Sequence, residues 1–318
     1  MRTIEYLSDP VLRGIYAPSV VAGVALALVC STLSVLVVLK RLAFIGQGVS
    51  HAAFGGIGVA FLLGVTGVAA AGAGAGAAAL QELGLLAIVS VFSIAAALAM
   101  ARLSRDGRAG ASADTAIGIV LVACMAIGFI LLQIDQQRVS AAAGRGEAVS
   151  ARPAIDAVLF GSLGGIGWID AAIAWGAAAG ALGVLWWVRR PMLLWSFDER
   201  GAGVFGVAGG RMRTILMVLL AVAVVVTMRL AGVILATAML VLPGAIALRV
   251  SGRLWGVVAL SGLAALVGVL GGLVVSFEFD LQPGPSVVGV LIGIYALARA
   301  AGSAGLVGGA IVRGGARG

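Results

Sequence analysis

Residues 17–56 read APSVVAGVALALVCSTLSVLVVLKRLAFIGQGVSHAAFGG: an apolar run, a Lys40-Arg41 break, and a second apolar run that carries the chain's one histidine, His51. Each run has the length, roughly 20 residues of helix, that crosses the hydrocarbon core of a bilayer. The pattern recurs along the 318 residues. With 62% hydrophobic and 11% charged residues and a mean hydropathy of +1.16, the composition excludes a water-soluble globular chain. The expected fold is all-α: a polytopic integral membrane protein with eight or nine transmembrane helices near 17–39, 42–63, 83–101, 113–132, 169–188, 214–228, 231–248, 254–277 and 286–300. The first run is too long for a signal-peptide core and follows Glu5 and Asp9, so it reads as a retained helix. Residues 1–318 read as one transmembrane domain, with the Gly/Ala stretch 69–79 as a flexible linker.

The net charge of +8 is spread over the ends of apolar runs and is not gathered with aromatics, which argues against a nucleic-acid partner. It reports topology instead, because Lys and Arg are retained in cytoplasmic loops. Lys40 with Arg41, Arg102 with Arg105 and Arg108, and Arg189, Arg190, Arg200, Arg211 and Arg213 follow the first, third and fifth spans. Placing Arg249, Arg253, Arg299, Arg313 and Arg317 on the same side requires two crossings between 214 and 248, with Arg229 as the break. The N-terminus is then expected outside and the C-terminus inside, with 135–167 and 278–285 as external segments.

Gln47 and His51 are four residues apart and share one helical face. An imidazole at membrane depth costs several kcal/mol to dehydrate, so it reads either as a structural group hydrogen-bonded across helices or as part of a substrate path. Gly46, Gly48, Gly55, Gly56 and Gly58 give this helix a thin profile, which permits close approach of its neighbours. A neutral imidazole suits Zn²⁺, and carboxylate-rich surroundings shift preference toward Mn²⁺. Asp114, in Ser112-Ala113-Asp114-Thr115, reads as a helix cap or as an oxygen donor on such a path. Glu278 and Asp280 read as an ordinary solvated turn or as charges that attract cations at an outer mouth. Cys30 and Cys124 have no partner at metal or redox spacing and read as core residues.

The segment 189–213 is too patterned for a mere connector. Ser196 and Glu199 have capping-box spacing, and Phe197, Val204 and Phe205 supply apolar contacts. It suits a short helix that docks on a cytoplasmic partner, or an interfacial helix to which Trp195 and the arginines also belong.

These stretches together resemble the permease subunit of the ABC-3 family, the bacterial zinc, manganese and sometimes iron importers. Lys40 to Gly56 is similar to the family's R-R-x-x-F-x-G-D-x-x-S-H-A segment, and Asp114 to Gly118 to E-D-T-A-I-G. Leu159 to Ser162 follows, and Ser196 to Val207 resembles S-F-D-E-x-A-x-x-x-G. Val233 to Ala247, around Pro243, resembles G-V-L-L-x-x-A-L-L-x-x-P-A-A, and Asp280 to Ser286 resembles D-x-P-x-G-P. The resemblance implies a permease of the vitamin-B12-importer type in a bacterial inner membrane, working as a homodimer or heterodimer. It implies a cytoplasmic ATPase, an extracytoplasmic metal-binding protein, and a divalent metal ion as cargo with no permanently bound cofactor. His51, Gln47 and Asp114 then fall on the metal path, and Ser196, Phe197, Asp198, Glu199, Arg200 and Gly206 on the ATPase-coupling element. Two positions depart from the family pattern: Gln47 replaces an acid, and Ala113 replaces the first acid of the E-D pair. An amide oxygen is a weaker, neutral metal ligand.

The chain has no GxxxxGK[ST] phosphate loop, so ATP is used by the partner and the chain is expected not to be an enzyme. One histidine excludes an HExxH metalloenzyme. A proton-coupled secondary carrier and a vitamin or siderophore permease are the alternative readings.

Overall fold

The computed structural model describes residues 10–65, 75–104, 113–145 and 166–303. Among them every regular element is a helix, the outcome that an apolar environment enforces, because a helix satisfies its backbone hydrogen bonds within itself. In chain order these are α1 (Pro10–Leu39), α2 (Ile45–Leu62), α3 (Ala75–Leu103), α4 (Ala113–Gly144), α5 (Trp168–Trp187), α6 (Arg189–Phe197), α7 (Glu199–Val204), α8 (Gly209–Met239), α9 (Leu242–Val250), α10 (Leu254–Phe279) and α11 (Pro283–Ser303). Among the described residues, eight stretches are long and apolar enough to cross a membrane.

Helix ends follow local chemistry. Gly64, at φ 79°, lets the Gly64 and Val65 amides bond back to the carbonyls of Phe61 and Ala60 and closes α2. Arg41 closes α1 at φ 55° although it is not glycine. Asp280 does the same for α10 at φ 54°, and Ser276 Oγ supports that end by donating to the Leu281 carbonyl at 2.6 Å.

The chain forms two compact units. In the first (1–43, 159–205 and 226–318), α1 is the hub. Ser261 Oγ of α10 donates to the Ser31 carbonyl at 2.9 Å, while the Tyr16 and Phe277 rings pack at a 53° tilt with centroids 4.6 Å apart, so α10 runs antiparallel to α1. The indole of Trp175 donates to the Val21 carbonyl at 3.1 Å, and Lys40 meets Trp195 at the other end, so α5 and α6 run parallel to it. The Gly244 amide donates to Ser34 Oγ at 2.8 Å. A Cβ on Gly244 would stand 2.6 Å from the Ser34 carbonyl oxygen, so glycine is needed where α9 begins.

The second unit (44–158 and 206–225) is built on α2. An added Cβ on Gly48 would meet Ile117 and Met100, one on Gly55 would meet Phe92 and the Cys124 carbonyl, and one on Gly58 would meet the Gly128 carbonyl. The offset between α2 and α4 stays near 70 residues, so the two are parallel and in fixed register, while α3 runs antiparallel. The thin profile expected of α2 thus serves close packing.

Four expectations need correction. The stretch 69–79 is not wholly a linker, since α3 starts at Ala75; alanine has the highest helix propensity and extends the turn. The fourth span does not stop near 132: α4 runs to Gly144, so Asp135 is helical and buried instead of opening an external loop. The helix that follows α7 begins at Gly209, before the expected 214. The break expected at Arg229 falls at Gly232, whose φ of 83° and ψ of 168° interrupt α8. Thr227 meets Cys30 at 3.5 Å and Ala247 packs with Val35. Cys30 and Val35 are only about 8 Å apart along α1, whereas residues 227 to 247 would span about 30 Å as a straight helix. The chain therefore folds back at Gly232, within the 42-residue stretch Gly209–Val250.

Candidate functional site

On α2, burial against α3 and α4 leaves one side open. Gln47 is exposed and His51 half-buried there, while Gly48, Val49, Ser50, Ala52 and Ala53 around them are buried. Ser50 closes on its own helix, donating to the Gly46 carbonyl at 2.8 Å, so it offers its hydroxyl inward. The register that sets Gly48 beside Ile117 and Gly55 beside Cys124 places the Asp114 backbone level with Ile45. That is about 3 Å along the axis from Gln47 and about 9 Å from His51. Asp114 is the second residue of α4, where the helix dipole favours a carboxylate. Its side chain lies outside the described residues. The three candidates therefore share one end of this unit, yet among the described residues no group of three or more His, Cys, Asp or Glu side chains comes together to hold a metal.

The coupling candidates up to Arg200 lie in the first unit, and Gly206 is the first residue of the second unit's later segment. Ser196 belongs to α6, where its hydroxyl donates to the Met192 carbonyl at 2.7 Å. The expected capping box with Glu199 does not form. Asp198 sits just before α7 and caps it, its Oδ1 accepting the Gly201 amide at 2.9 Å. Glu199 is thereby released to pair with Lys40, Oε2 to Nζ, at 3.2 Å. The same ammonium stands 3.9 Å from the centroid of Trp195, and the Lys40 side chain is only 12% exposed. Trp195 and Met192 are fully buried, so Trp195 anchors the segment and does not lie on lipid headgroups. Phe197, Val204 and Phe205, by contrast, are 62–87% exposed. Gly206 follows at φ 76°. The Arg200 side chain and the motif Leu159 to Ser162 lie outside the described residues.

Glu278 is half-buried in the last turn of α10 and Asp280 is its exposed end residue. The carboxylate of Asp280 sits on a turn whose geometry is set by the backbone.

Sequence reasoning missed the link between Lys40 and the coupling segment, although Lys40 is the chain's only lysine. It also missed the ion pair of Arg229 Nη2 with Asp170 Oδ1 at 3.0 Å, having read Arg229 as a loop residue. Asp170 additionally accepts the Gly167 amide at 3.2 Å. An arginine inside a long apolar run is the one signal that pointed to a partner.

A bundle of membrane-length helices with a short-helix segment latched by Lys40 and a polar face on a glycine-thinned helix is of the membrane-permease class. Residues 14–302 match the ABC 3 transport family, and the chain belongs to it. It is similar to the manganese transport system membrane protein MntC of Halalkalibacterium halodurans, 25% identical over 94% of this chain and 91% of that one. It is also similar to the high-affinity zinc uptake system membrane protein ZnuB of Haemophilus influenzae, 26% identical over 85% of this chain and 91% of that one. Among solved structures it shares its fold with PsaBC from Streptococcus pneumoniae in complex with Fab. There the TM-score is 0.71 at 23% identity, covering 93% of this chain and 95% of that one.

Proposed function

We propose that this chain is the membrane permease subunit of an ABC importer that carries a divalent transition-metal ion, Zn²⁺, Mn²⁺ or Fe²⁺, into the bacterial cytoplasm, driven by ATP hydrolysis on a separate subunit. The observation that carries the reading is the Lys40 latch. The exposed apolar side chains of α6 and α7 form a surface fit to seat on an ATPase. Lys40 ties that segment to the end of α1, five residues before the helix that bears Gln47 and His51. Movement of the docked segment is thus passed through one short turn to the polar face along which the ion travels. A neutral amide and a single imidazole hold a metal weakly enough for release, as a transport site must.

In the assembled importer, an extracytoplasmic metal-binding protein delivers the ion and two permease chains, identical or not, enclose its path. Glu278 and Asp280 face that delivery side. The test is uptake into proteoliposomes containing the permease and its ATPase, with Zn²⁺, Mn²⁺ and Fe²⁺ in competition. ATP-dependent accumulation of one of them is expected; accumulation driven by a proton gradient alone, without the ATPase, would overturn the reading.

A further inference from the structure

At the end of the first unit that carries Lys40, α1, α5, α6 and α10 leave a groove of about 620 Å³. Its walls are apolar, with Leu36, Leu182, Leu185 and Val258 prominent, and Arg189 and Arg190 stand on its rim beside Trp186 and Trp255. Both arginines are exposed, and neither has a carboxylate partner among the described residues. The Arg189 guanidinium stays near the groove because its Cζ stacks 4.7 Å from the Trp186 ring centroid. Trp186, Trp187 and Trp255 are 66–81% exposed at this same end, the level at which tryptophan gathers at a membrane–water boundary. An apolar trough that opens at that boundary under two uncompensated arginines matches one amphipathic occupant.

We infer that this groove binds an anionic phospholipid, its phosphate on Arg189 and Arg190 and its acyl chains along Leu36, Leu182, Leu185 and Val258. The inference rests on the membrane-spanning fold and is independent of which ion is carried. A free phosphate would leave the apolar walls uncovered, and a zwitterionic lipid would gain less from two cations. The groove floor includes Met192 and Leu193 of α6, so the lipid braces the helix that holds Trp195 and Ser196, and bilayer charge bears on coupling.

Native mass spectrometry of the delipidated full chain, titrated with dioleoyl phosphatidylglycerol or dioleoyl phosphatidylcholine, tests this. Phosphatidylglycerol is expected to bind roughly 25-fold more tightly, since each of the two arginines near an anionic headgroup contributes about fivefold. Arg189→Gln with Arg190→Gln should reduce it to the phosphatidylcholine level, while the double lysine variant keeps most of the preference. Val258→Trp, which fills the groove and spares the arginines, should remove the adduct. Equal binding of both lipids, no effect of the glutamine pair, or an adduct that survives Val258→Trp would overturn the proposal. So would displacement of the lipid by inorganic phosphate, which would reveal recognition of the headgroup alone. Loss of the lipid when the ATPase and a second permease are bound would also overturn it, by assigning the groove to a subunit contact. Each variant is first checked for an unchanged thermal transition, and the arginine pair is the decisive arm if Val258→Trp fails that check.

Discussion

Lys40 and Glu199, 159 positions apart in the chain, meet at 3.2 Å between Nζ and Oε2, and the ammonium caps the buried ring of Trp195 at 3.9 Å. The pair closes a gap between the end of α1 and the start of α7 that no local interaction spans. Its geometry makes the segment 189–205 an extension of α1 and not a free loop.

Lys40→Ala should lower metal uptake more than Glu199→Ala does. A half-exposed ion pair contributes about 1 kcal/mol or less, whereas the loss of Lys40 also removes a shielded cation–π contact of about 1–2 kcal/mol. The swap Lys40→Glu with Glu199→Lys should restore the pair but not the contact with Trp195, and so recover activity partly. Transport coupled to ATP hydrolysis, measured with the ATPase still bound, checks this; wild-type uptake in Lys40→Ala would remove the latch from the mechanism.

His51→Ala should reduce uptake at least roughly tenfold while the thermal transition stays in place, because the side chain is only half-buried. Gln47→Glu restores the acid found in the family pattern and should tighten metal binding on the order of thirtyfold, because a unit charge roughly 4 Å from a divalent ion gains about 2 kcal/mol at the dielectric of water, the value suited to an exposed residue. Isothermal titration with Zn²⁺ and Mn²⁺ reads both variants. Unaltered affinity in both would move the path away from this face.

Exposure of Phe197, Val204 and Phe205 predicts that Phe197→Ser with Phe205→Ser will weaken co-purification with the ATPase without lowering the stability of the isolated chain. Asp198→Ala should act differently, removing the cap on α7 at a cost of about 1 kcal/mol while leaving the apolar surface. Pull-down yield and a melting curve, taken side by side, separate the two effects.

Gly55→Ala should destabilise by about 1–3 kcal/mol through overpacking, since its Cβ would lie 2.7 Å from Phe92 Cε1 and 2.9 Å from the Cys124 carbonyl oxygen. Gly118→Ala is the matched control: nothing lies within 4 Å of its Cβ, and alanine should stabilise α4 by about 0.5–1 kcal/mol. Thermal unfolding in detergent followed by tryptophan emission distinguishes them.

Asp170→Asn should cost about 2 kcal/mol, because the Arg229 guanidinium, about one-fifth exposed, would keep a neutral acceptor in place of a charged one. Asp170→Asn with Arg229→Gln should recover part of the loss. The same unfolding measurement, run as a double-mutant cycle, checks the coupling.

The sequence by itself determined that the chain is a bundle of membrane-crossing helices and where most of them lie. In a bilayer, apolar length and internal hydrogen bonding are local properties that 20 residues suffice to express. It also marked Gln47, His51 and the 189–213 segment, where polar or amphipathic residues break the apolar pattern. Tertiary structure alone decided what those residues meet. Arg229 looked like a break, but the reversal went to Gly232, because glycine tolerates φ 83° and because Asp170 gave the arginine a partner. Ser196 looked like a cap, but its own helix took the hydroxyl and left that role to Asp198. Lys40 looked like a topological mark until folding set it on Trp195 and Glu199. Pairings between residues more than 50 positions apart depend on how whole helices pack, and no short window of sequence contains that information.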